Sequence, residues 1–242
     1  MNLCIDQGNS STKVGIFDND ILHELFVYEV FNTNEAWKLV SNFSIDNCII
    51  SSVINENREL LDVLKSNSSN FISLCHNTAI PIENRYETPE TLGNDRLAAV
   101  VGAAYLKPNN DVLVIDAGTA ITYDFIDANG VYWGGNIAAG INLRLQSLHE
   151  FTKKLPLVEI TIESPLIGNN TKTALISGAL HGIVFEMDGY ITSLKTKYPQ
   201  LSTFLTGGST FYFDTKLKNA IFAEKNLVLI GLNRILQYNV QK

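Results

Sequence analysis

Positive charge is in short supply in this 242-residue chain: 18 Lys and Arg stand against 25 Asp and Glu, a net charge of -7. That deficit argues against the basic stripe with which a protein grips a nucleic-acid backbone, so any anionic ligand must be held locally by backbone amides and a few cations. Long apolar runs are missing as well. None approaches the roughly 20 residues that cross a bilayer, and no basic segment leads into an apolar one at the amino terminus, which sets the expectation of a cytoplasmic protein with no membrane partner. Cysteine is sparse. Cys4, Cys48 and Cys75 sit singly in apolar, strand-like runs and are expected as reduced core residues rather than as bridges or metal ligands. His23, His76, His149 and His181 lack ligand spacing. The Walker A pattern G-x-x-x-x-G-K-[ST] is absent too.

What is present is an ordinary globular composition, with 45% hydrophobic residues, in a chain long enough for one large domain or two small ones. The first hundred residues read as the strand "NLCID", a hairpin in "TKVGIFDNDILHELFVYEV" turning at Asp18-Asn19-Asp20, a helix "EAWKLVSNF", a buried strand "CIISSV", a helix "NENRELLDVLKSN" and a strand "FISLC". Strand, helix and strand in succession imply a parallel crossover joined to the hairpin, hence a mixed sheet. "PETLGNDRLAAVVGAAYL" opens an Ala-rich helix at Asn94 and Asp95. After the breaker "KPNND" the order begins again with "VLVID", "ITYDFID", a turn at "ANG" and "VYWGGNIAAGI". Helices follow in "INLRLQSLHEFTKKL" and "NTKTALISGALHGIVFEMDGYITSLKTKY", then a strand "STFLTGG", a short helix near "FDTKL" and a closing helix "LIGLNRILQYN". The repetition places two lobes at residues 1–110 and 111–242, with the last helix returning to the first lobe.

Two loops carry the chemistry. In "DQGNSSTK" a strand ends on Asp6 and turns through Gly8, so that following amides can cradle phosphate oxygens while Asn9, Ser10, Ser11 and Thr12 add donors and Lys13 adds charge. "VLVIDAGTAITYD" repeats the device with Asp116, Gly118, Thr119, Thr122 and Asp124. Asp6 and Asp116 are expected to face one another across a cleft and to hold a hydrated metal or monovalent cation beside the phosphates. The plainer alternative is a pair of hairpin turns in which each Asp bonds its own backbone. "GNDR" offers a similar choice. Asp95 is either a helix-capping carboxylate or the group that orients an acceptor hydroxyl and takes its proton; Arg96 is either a surface residue or the cation that neutralises an anionic substrate.

The segments "DQGNSSTK", "ETLGNDR", "DAGTAITYD", "GGNIAAG", "GNNTKTALISG" and "LTGGS", in this order from Asp6 to about Ser209, resemble those of the type III pantothenate kinases. The resemblance implies an α/β, actin-like ATPase fold of two ribonuclease-H-like lobes with mixed sheets. It also implies ATP-dependent phosphorylation of pantothenate to 4'-phosphopantothenate in coenzyme A synthesis, by a homodimer that needs Mg2+ with ATP and a monovalent cation, K+ or NH4+. By position, Asp6, Gln7, Gly8, Asn9, Ser10, Ser11, Thr12, Lys13 and Thr119 correspond to ATP contacts, Asp116 to the monovalent-cation ligand and Asp95 to the proton acceptor. Tyr86, Gly93, Asn94, Asp95 and Arg96 resemble the pantothenate pocket, to which the other subunit lends Thr171. Tyr86 reads equally as a half-buried aromatic and Thr171 as a helix N-cap.

The chain departs from the family pattern at Ser10, where Thr is common, and at Ala139, which replaces the proline of "GGxIxPG"; neither change removes a reacting group. Rival readings are a non-catalytic accessory factor of gene expression, a sugar kinase and a polyphosphate hydrolase. The presence of Asp6, Lys13 and Asp95 weighs against the first. The apolar neighbourhood of Tyr86 and Leu92, suited to a dimethyl group, weighs against a pocket built for a ring of hydroxyls.

Overall fold

The computed structural model describes residues 1–54 and 57–241. Asn55 and Glu56, which begin the expected helix "NENRELLDVLKSN", and Lys242 lie outside the described residues. In chain order the elements are β1 (Asn2–Gln7), β2 (Thr12–Asp18), β3 (Ile21–Tyr28), α1 (Thr33–Asn42), β4 (Asn47–Ser52), α2 (Arg58–Ser66), β5 (Asn70–Ser73), β6 (Glu83–Asn84) and α3 (Asn94–Leu106). There follow β7 (Val112–Ala117), β8 (Ala120–Ile126), β9 (Val131–Ala139), α4 (Ile141–Glu150), α5 (Thr171–Lys197), β10 (Ser202–Thr206), β11 (Phe222–Ala223) and α6 (Leu227–Val240). They form two compact units. One comprises Met1–Asn109, Ile126–Trp133 and Asn226–Lys242, the other Asn110–Phe125 and Gly134–Lys225.

The first unit is built on a sheet ordered β3-β2-β1-β4-β5. β1 runs antiparallel to β2 and parallel to β4, so the sheet is mixed. Side chains alternate across a strand, and Leu3, Ile5, Val14, Ile16, Cys48 and Ile50 all reach one face. There they pack with Ala36 and Leu39 of α1 and Leu60 and Leu64 of α2. The opposite face is covered too: Asn2 Nδ2 donates to Asn233 Oδ1 of α6 at 2.9 Å. Burial on both sides explains why "LCI" and "CII" are continuously apolar rather than alternating. The β2–β3 turn uses Asn19 at φ 53°, a left-handed conformation that Asn tolerates better than most residues. Asn32 and Asn57 cap α1 and α2 with their side-chain oxygens.

Helices α3 and α6 meet at glycines. A Cβ on Gly231 would lie 1.8 Å from the Ala98 carbonyl oxygen, and one on Gly102 would lie 2.4 Å from that of Leu227. Only glycine lets these backbones approach so closely, and this contact seats α3, which opens on the "GNDR" segment. β6 pairs in parallel with the start of β9, Glu83 opposite Val131 and Asn84 opposite Tyr132.

The second unit repeats the plan. Its sheet runs β9-β8-β7-β10-β11, with β6 beyond β9 at the edge, which is the order of the first sheet with each strand exchanged for its counterpart. The burial of β1 and β7 matches residue for residue, with the aspartate half-exposed and the residue after it buried. Leu113, Ile115, Ile121 and Tyr123 pack against Leu180, Ile183, Val184 and Met187 of the 27-residue α5.

Local details differ from the sequence reading. α4 ends at Glu150, short of Leu155, because the Thr152 hydroxyl donates to the Leu148 carbonyl at 2.7 Å and His149 Nδ1 meets the Leu155 carbonyl at 2.8 Å, which turns the chain away. No helix forms at "FDTKL"; a 3-10 turn at Thr210–Tyr212 precedes it. Cys4 and Cys48 are buried, whereas Cys75 is exposed, because β5 stops at Ser73 and the chain leaves the sheet before it.

Candidate active site

β1 continues one residue past Asp6, and the turn itself is Gly8–Ser11, closed by the Gly8 N–H donating to the Ser11 carbonyl at 3.1 Å. Antiparallel register sets Asp6 directly opposite Lys13 and Gln7 opposite Thr12. Directly opposed residues share a face, so Asp6 and Lys13 stand side by side and Gln7 and Thr12 take the other face. Both of the latter are buried, and Gln7 Oε1 accepts from the Ser52 hydroxyl at 3.0 Å. Asn9 and Ser10 are exposed at the tip, with Ser11 half-buried.

The parallel partner of Asp6 is Ser51 on β4. Ser51 is 1% exposed and its hydroxyl has no hydrogen-bond partner among the described residues. Lys13, Asp6 and Ser51 thus form a row on one sheet face. The sequence reading passed over Ser51 as part of a buried strand; its place at the C-terminal end of a parallel strand is the signal that could have found it.

The start of α3 is tied to the same end of this sheet. Ile50, in register with Ile5, accepts from the Leu74 N–H at 2.8 Å, and the Leu74 carbonyl accepts from Asn94 Nδ2 at 2.8 Å. Two hydrogen bonds therefore separate the strand pair beside Asp6 from the residue before Asp95. Gly93 is the N-cap of α3, and its carbonyl accepts from the Leu97 N–H. Asp95 lies in the first turn, where it accepts from the Arg96 N–H at 2.8 Å, and it is half-buried rather than a solvated cap. Arg96 is 6% exposed, which removes the surface-residue reading. Its guanidinium carbon lies 5.5 Å from the centroid of the Tyr86 ring, and that ring stacks on the fully buried Tyr132 at 6.2 Å and 14°. The result is a buried cation backed by two aromatic rings.

In the second unit the corresponding turn is tighter. β7 and β8 are separated only by Gly118 and Thr119, and the Gly118 N–H donates to the Ala120 carbonyl at 3.0 Å. Asp116 is opposite Thr206 of β10, and the Ser209 N–H donates to the Ala117 carbonyl at 2.9 Å, so "LTGGS" lies against "DAG". Thr171 is not the cap of α5. Asn170 and Thr173 form a reciprocal capping box, which leaves Thr171 exposed at the first helical position. It lines a cavity of about 500 Å³ together with Leu148, Leu155, Asn169, Asn170 and Leu175.

Of the expected site residues, Asp6 to Lys13, Tyr86 and Gly93 to Arg96 belong to the first unit, and Asp116, Thr119 and Thr171 to the second.

Solved structures with this fold include a protein of Campylobacter jejuni described as a Baf family transcriptional activator, with TM-score 0.64 and 24% identity over 99% of this chain and 100% of that one. They also include an inorganic polyphosphate/ATP-glucomannokinase from an Arthrobacter species, with TM-score 0.50 and 14% identity over 99% and 98% of the two chains. The two mixed sheets of repeated order and these neighbours show that the chain has the actin-like fold that sugar kinases and ATPases adopt. The family model for type III pantothenate kinase matches residues 2–193. Curated type III pantothenate kinases of Phocaeicola vulgatus and Bacteroides fragilis are 52% identical over 239 residues and 48% identical over 240, with 99% of this chain and 99% and 98% of those proteins covered. The chain belongs to the type III pantothenate kinase family. It is an enzyme, a kinase that takes ATP and pantothenate as substrates in coenzyme A biosynthesis.

Proposed function

We propose that the Gly8–Ser11 turn, flanked by Asp6 and Lys13, receives the ATP phosphates, and that Asp95 accepts the proton of the pantothenate 4'-hydroxyl as the phosphoryl group transfers. The observation that carries this is the hydrogen-bonded path from the end of β4 through Leu74 to Asn94, which supports an arrangement with phosphate loop and base at one end of one sheet. The transition state of phosphoryl transfer is loose, so positioning contributes more than base strength. Arg96, buried against Tyr86, is suited to the pantothenate carboxylate or to the transferring group, and the rings of Tyr86 and Tyr132 to its dimethyl portion.

Among the described residues no three His, Cys, Asp or Glu side chains gather into a metal cage. Magnesium would come with the nucleotide's phosphates and water, and Asp6 and the Ser51 hydroxyl would offer it hard oxygen donors. Bound there, the ion neutralises charge on the phosphoryl oxygens. Asp116 and the backbone of its turn are assigned to the monovalent cation, Thr119 to ATP, and the reaction to the cytoplasm.

The homodimer is read onto the second unit. Ala174, Gly178, Phe185 and Gly189 are exposed at helical spacing along α5, and Phe151, Leu166 and Ile167, close in sequence to residues that line the Thr171 cavity, are exposed as well, with Phe151 at 85%. A second copy covering this face brings its own Thr171 to the pantothenate pocket.

The decisive experiment incubates the protein with labelled ATP, Mg2+, K+ and pantothenate. Formation of phosphopantothenate, lost in Asp95→Asn while ATP still binds, is expected; an Asp95→Asn enzyme with nearly unchanged turnover removes Asp95 from the mechanism.

A further inference from the structure

The second unit holds a polar network that none of the roles above uses. Glu186 of α5 has both carboxylate oxygens engaged: Oε1 accepts from the Tyr123 hydroxyl at 2.7 Å, and Oε2 accepts from Arg144 Nη2 at 2.6 Å. Arg144 spends its Nε elsewhere, donating to the Ala139 carbonyl at 2.8 Å. Tyr123 is 2% exposed, and its ring lies 4.2 Å from that of Tyr190. Burial, with the Glu186 carboxylate beside it, pushes the Tyr123 hydroxyl far above its ordinary range, so it remains a donor. The Arg144 and Glu186 side chains are 24% and 28% exposed, so water screens the pair in part and the ion pair alone stabilises little. Its geometry is more informative than its strength.

The network ends on a turn. Ala139 closes β9 and Gly140 is the N-cap of α4; the Gly140 N–H donates to the Thr119 carbonyl at 3.0 Å. A Cβ on Gly140 would lie 2.4 Å from the Thr119 carbonyl oxygen and 2.5 Å from that of Gly118. The corner at 139–140 therefore rests directly on the two-residue turn between β7 and β8. Arg144 fixes that corner from one side and is itself fixed by Glu186, whose other oxygen is occupied by Tyr123 on β8. The loop closes on itself: β8, α5, α4 and the corner hold the turn that β8 begins from.

We infer that Arg144, Glu186 and Tyr123 form a brace that sets the position of the Gly118–Thr119 turn for nucleotide binding, with Arg144 as its central positioning residue. The inference rests on the assignment of Thr119 to ATP. A corner that lacks proline at 139 has no ring to fix its φ, and here a guanidinium holds the carbonyl of that residue instead. The brace touches no substrate and acts through Gly140.

Three variants test it: Arg144→Met, which keeps the stem and removes the donors; Arg144→Lys, which keeps a charge for Glu186 but lacks the fork that also reaches Ala139; and Glu186→Gln. Two readouts are taken on the full-length protein, amide hydrogen exchange in peptides spanning residues 116–121 and KM for each substrate. Expected in Arg144→Met is faster exchange in 116–121 and a KM for ATP raised roughly fivefold to tenfold, with KM for pantothenate within about twofold. Arg144→Lys shifts both in the same direction, and stands in if Arg144→Met does not fold. Combining Arg144→Met with Glu186→Gln adds little further, because both break one network. Unchanged exchange in a folded Arg144 variant overturns the brace. Thr119→Val, measured alongside, separates the two ideas. If Thr119→Val raises KM for ATP and the Arg144 variants do not, the brace is wrong. If none of them raises it, the ATP role of Thr119 is wrong, and the exchange result alone decides whether the brace holds the turn.

Discussion

At Gly93 the space for a side chain is already taken by the site. A Cβ there would meet Asp95 Oδ1 at 2.5 Å, so any larger residue displaces the carboxylate assigned to the proton. Gly93→Ala is expected to lower kcat about tenfold or more while costing only about 1 kcal/mol of stability at a helix N-cap. Steady-state kinetics beside a thermal melt check this: a large kcat loss with a small Tm change supports positioning, and an unchanged kcat refutes it. The residues themselves were legible in the sequence, since Asp-x-Gly after an apolar strand and "GNDR" before an Ala-rich run announce turns and a helix start. Their surroundings were not. Nothing local to "DRL" says that Arg96 is buried under Tyr86, because that contact joins residues ten apart through a ring stacked on a strand almost fifty residues downstream.

The helix pair α3 and α6 is joined where Gly102 faces Gly231, residues that look like liabilities inside helices when read alone. Packed, they are required. Gly231→Ala places a carbon against the Ala98 carbonyl and is expected to destabilise the fold by about 1–3 kcal/mol, as overpacking does, and to impair turnover beyond its effect on Tm by shifting α3. Urea titration followed by assay of the folded fraction measures both; a variant as stable and active as the parent would show that the helices separate freely. The ends of elements were the weakest part of the sequence reading for a related reason. α4 stops at Glu150 because Thr152 and His149 turn back onto carbonyls, a choice made by side chains that the apolar spacing of "LRLQSL" does not register.

For the molecule as a whole, a shared site makes a quantitative forecast. If Thr171 acts in the partner's pocket, Asp95→Asn and Thr171→Ala are each inactive, yet a mixed dimer carries one intact site. After unfolding and refolding an equimolar mixture, about a quarter of parent activity is expected, because half of randomly formed dimers are mixed and each has one good site of two. No recovery would place Thr171 and Asp95 on the same chain. A second forecast concerns acid. Burial raises the Asp188 carboxyl, but the Asn219 side chain and the Lys218 and Asn219 N–H groups outweigh it and hold it below the ordinary aspartate range; at Asp127, burial is likewise outweighed by the Trp133 indole and the Val131 and Asn129 N–H groups. A depressed carboxylate stabilises the fold above its unfolded value and loses that contribution as pH falls through the folded one. Stability is therefore expected to decline below about pH 4, and Asp188→Asn to flatten that decline, as urea unfolding across pH 2–6 would show.

The rival reading as an accessory factor of gene expression is also judged at this scale. The solved neighbour described as a transcriptional activator shares 24% identity and speaks for the fold alone, whereas whole-chain identity of 40–52% to type III pantothenate kinases decides the family.

By itself the sequence determined the order of the long strands and helices, though not the two-residue strands β6 and β11 or the absence of a helix at "FDTKL", together with the doubled Asp-x-Gly turn and the residue types needed for phosphoryl transfer, because turn chemistry and apolar periodicity are short-range and survive without context. Only tertiary structure decided which of those residues are neighbours. The row of Lys13, Asp6 and Ser51 depends on strand register, the depth of Arg96 on an aromatic stack, and the hold on Thr119 on an arginine and a glutamate that stand twenty-five and sixty-seven positions downstream. Such contacts follow from how elements pack, and packing is fixed by the whole chain at once.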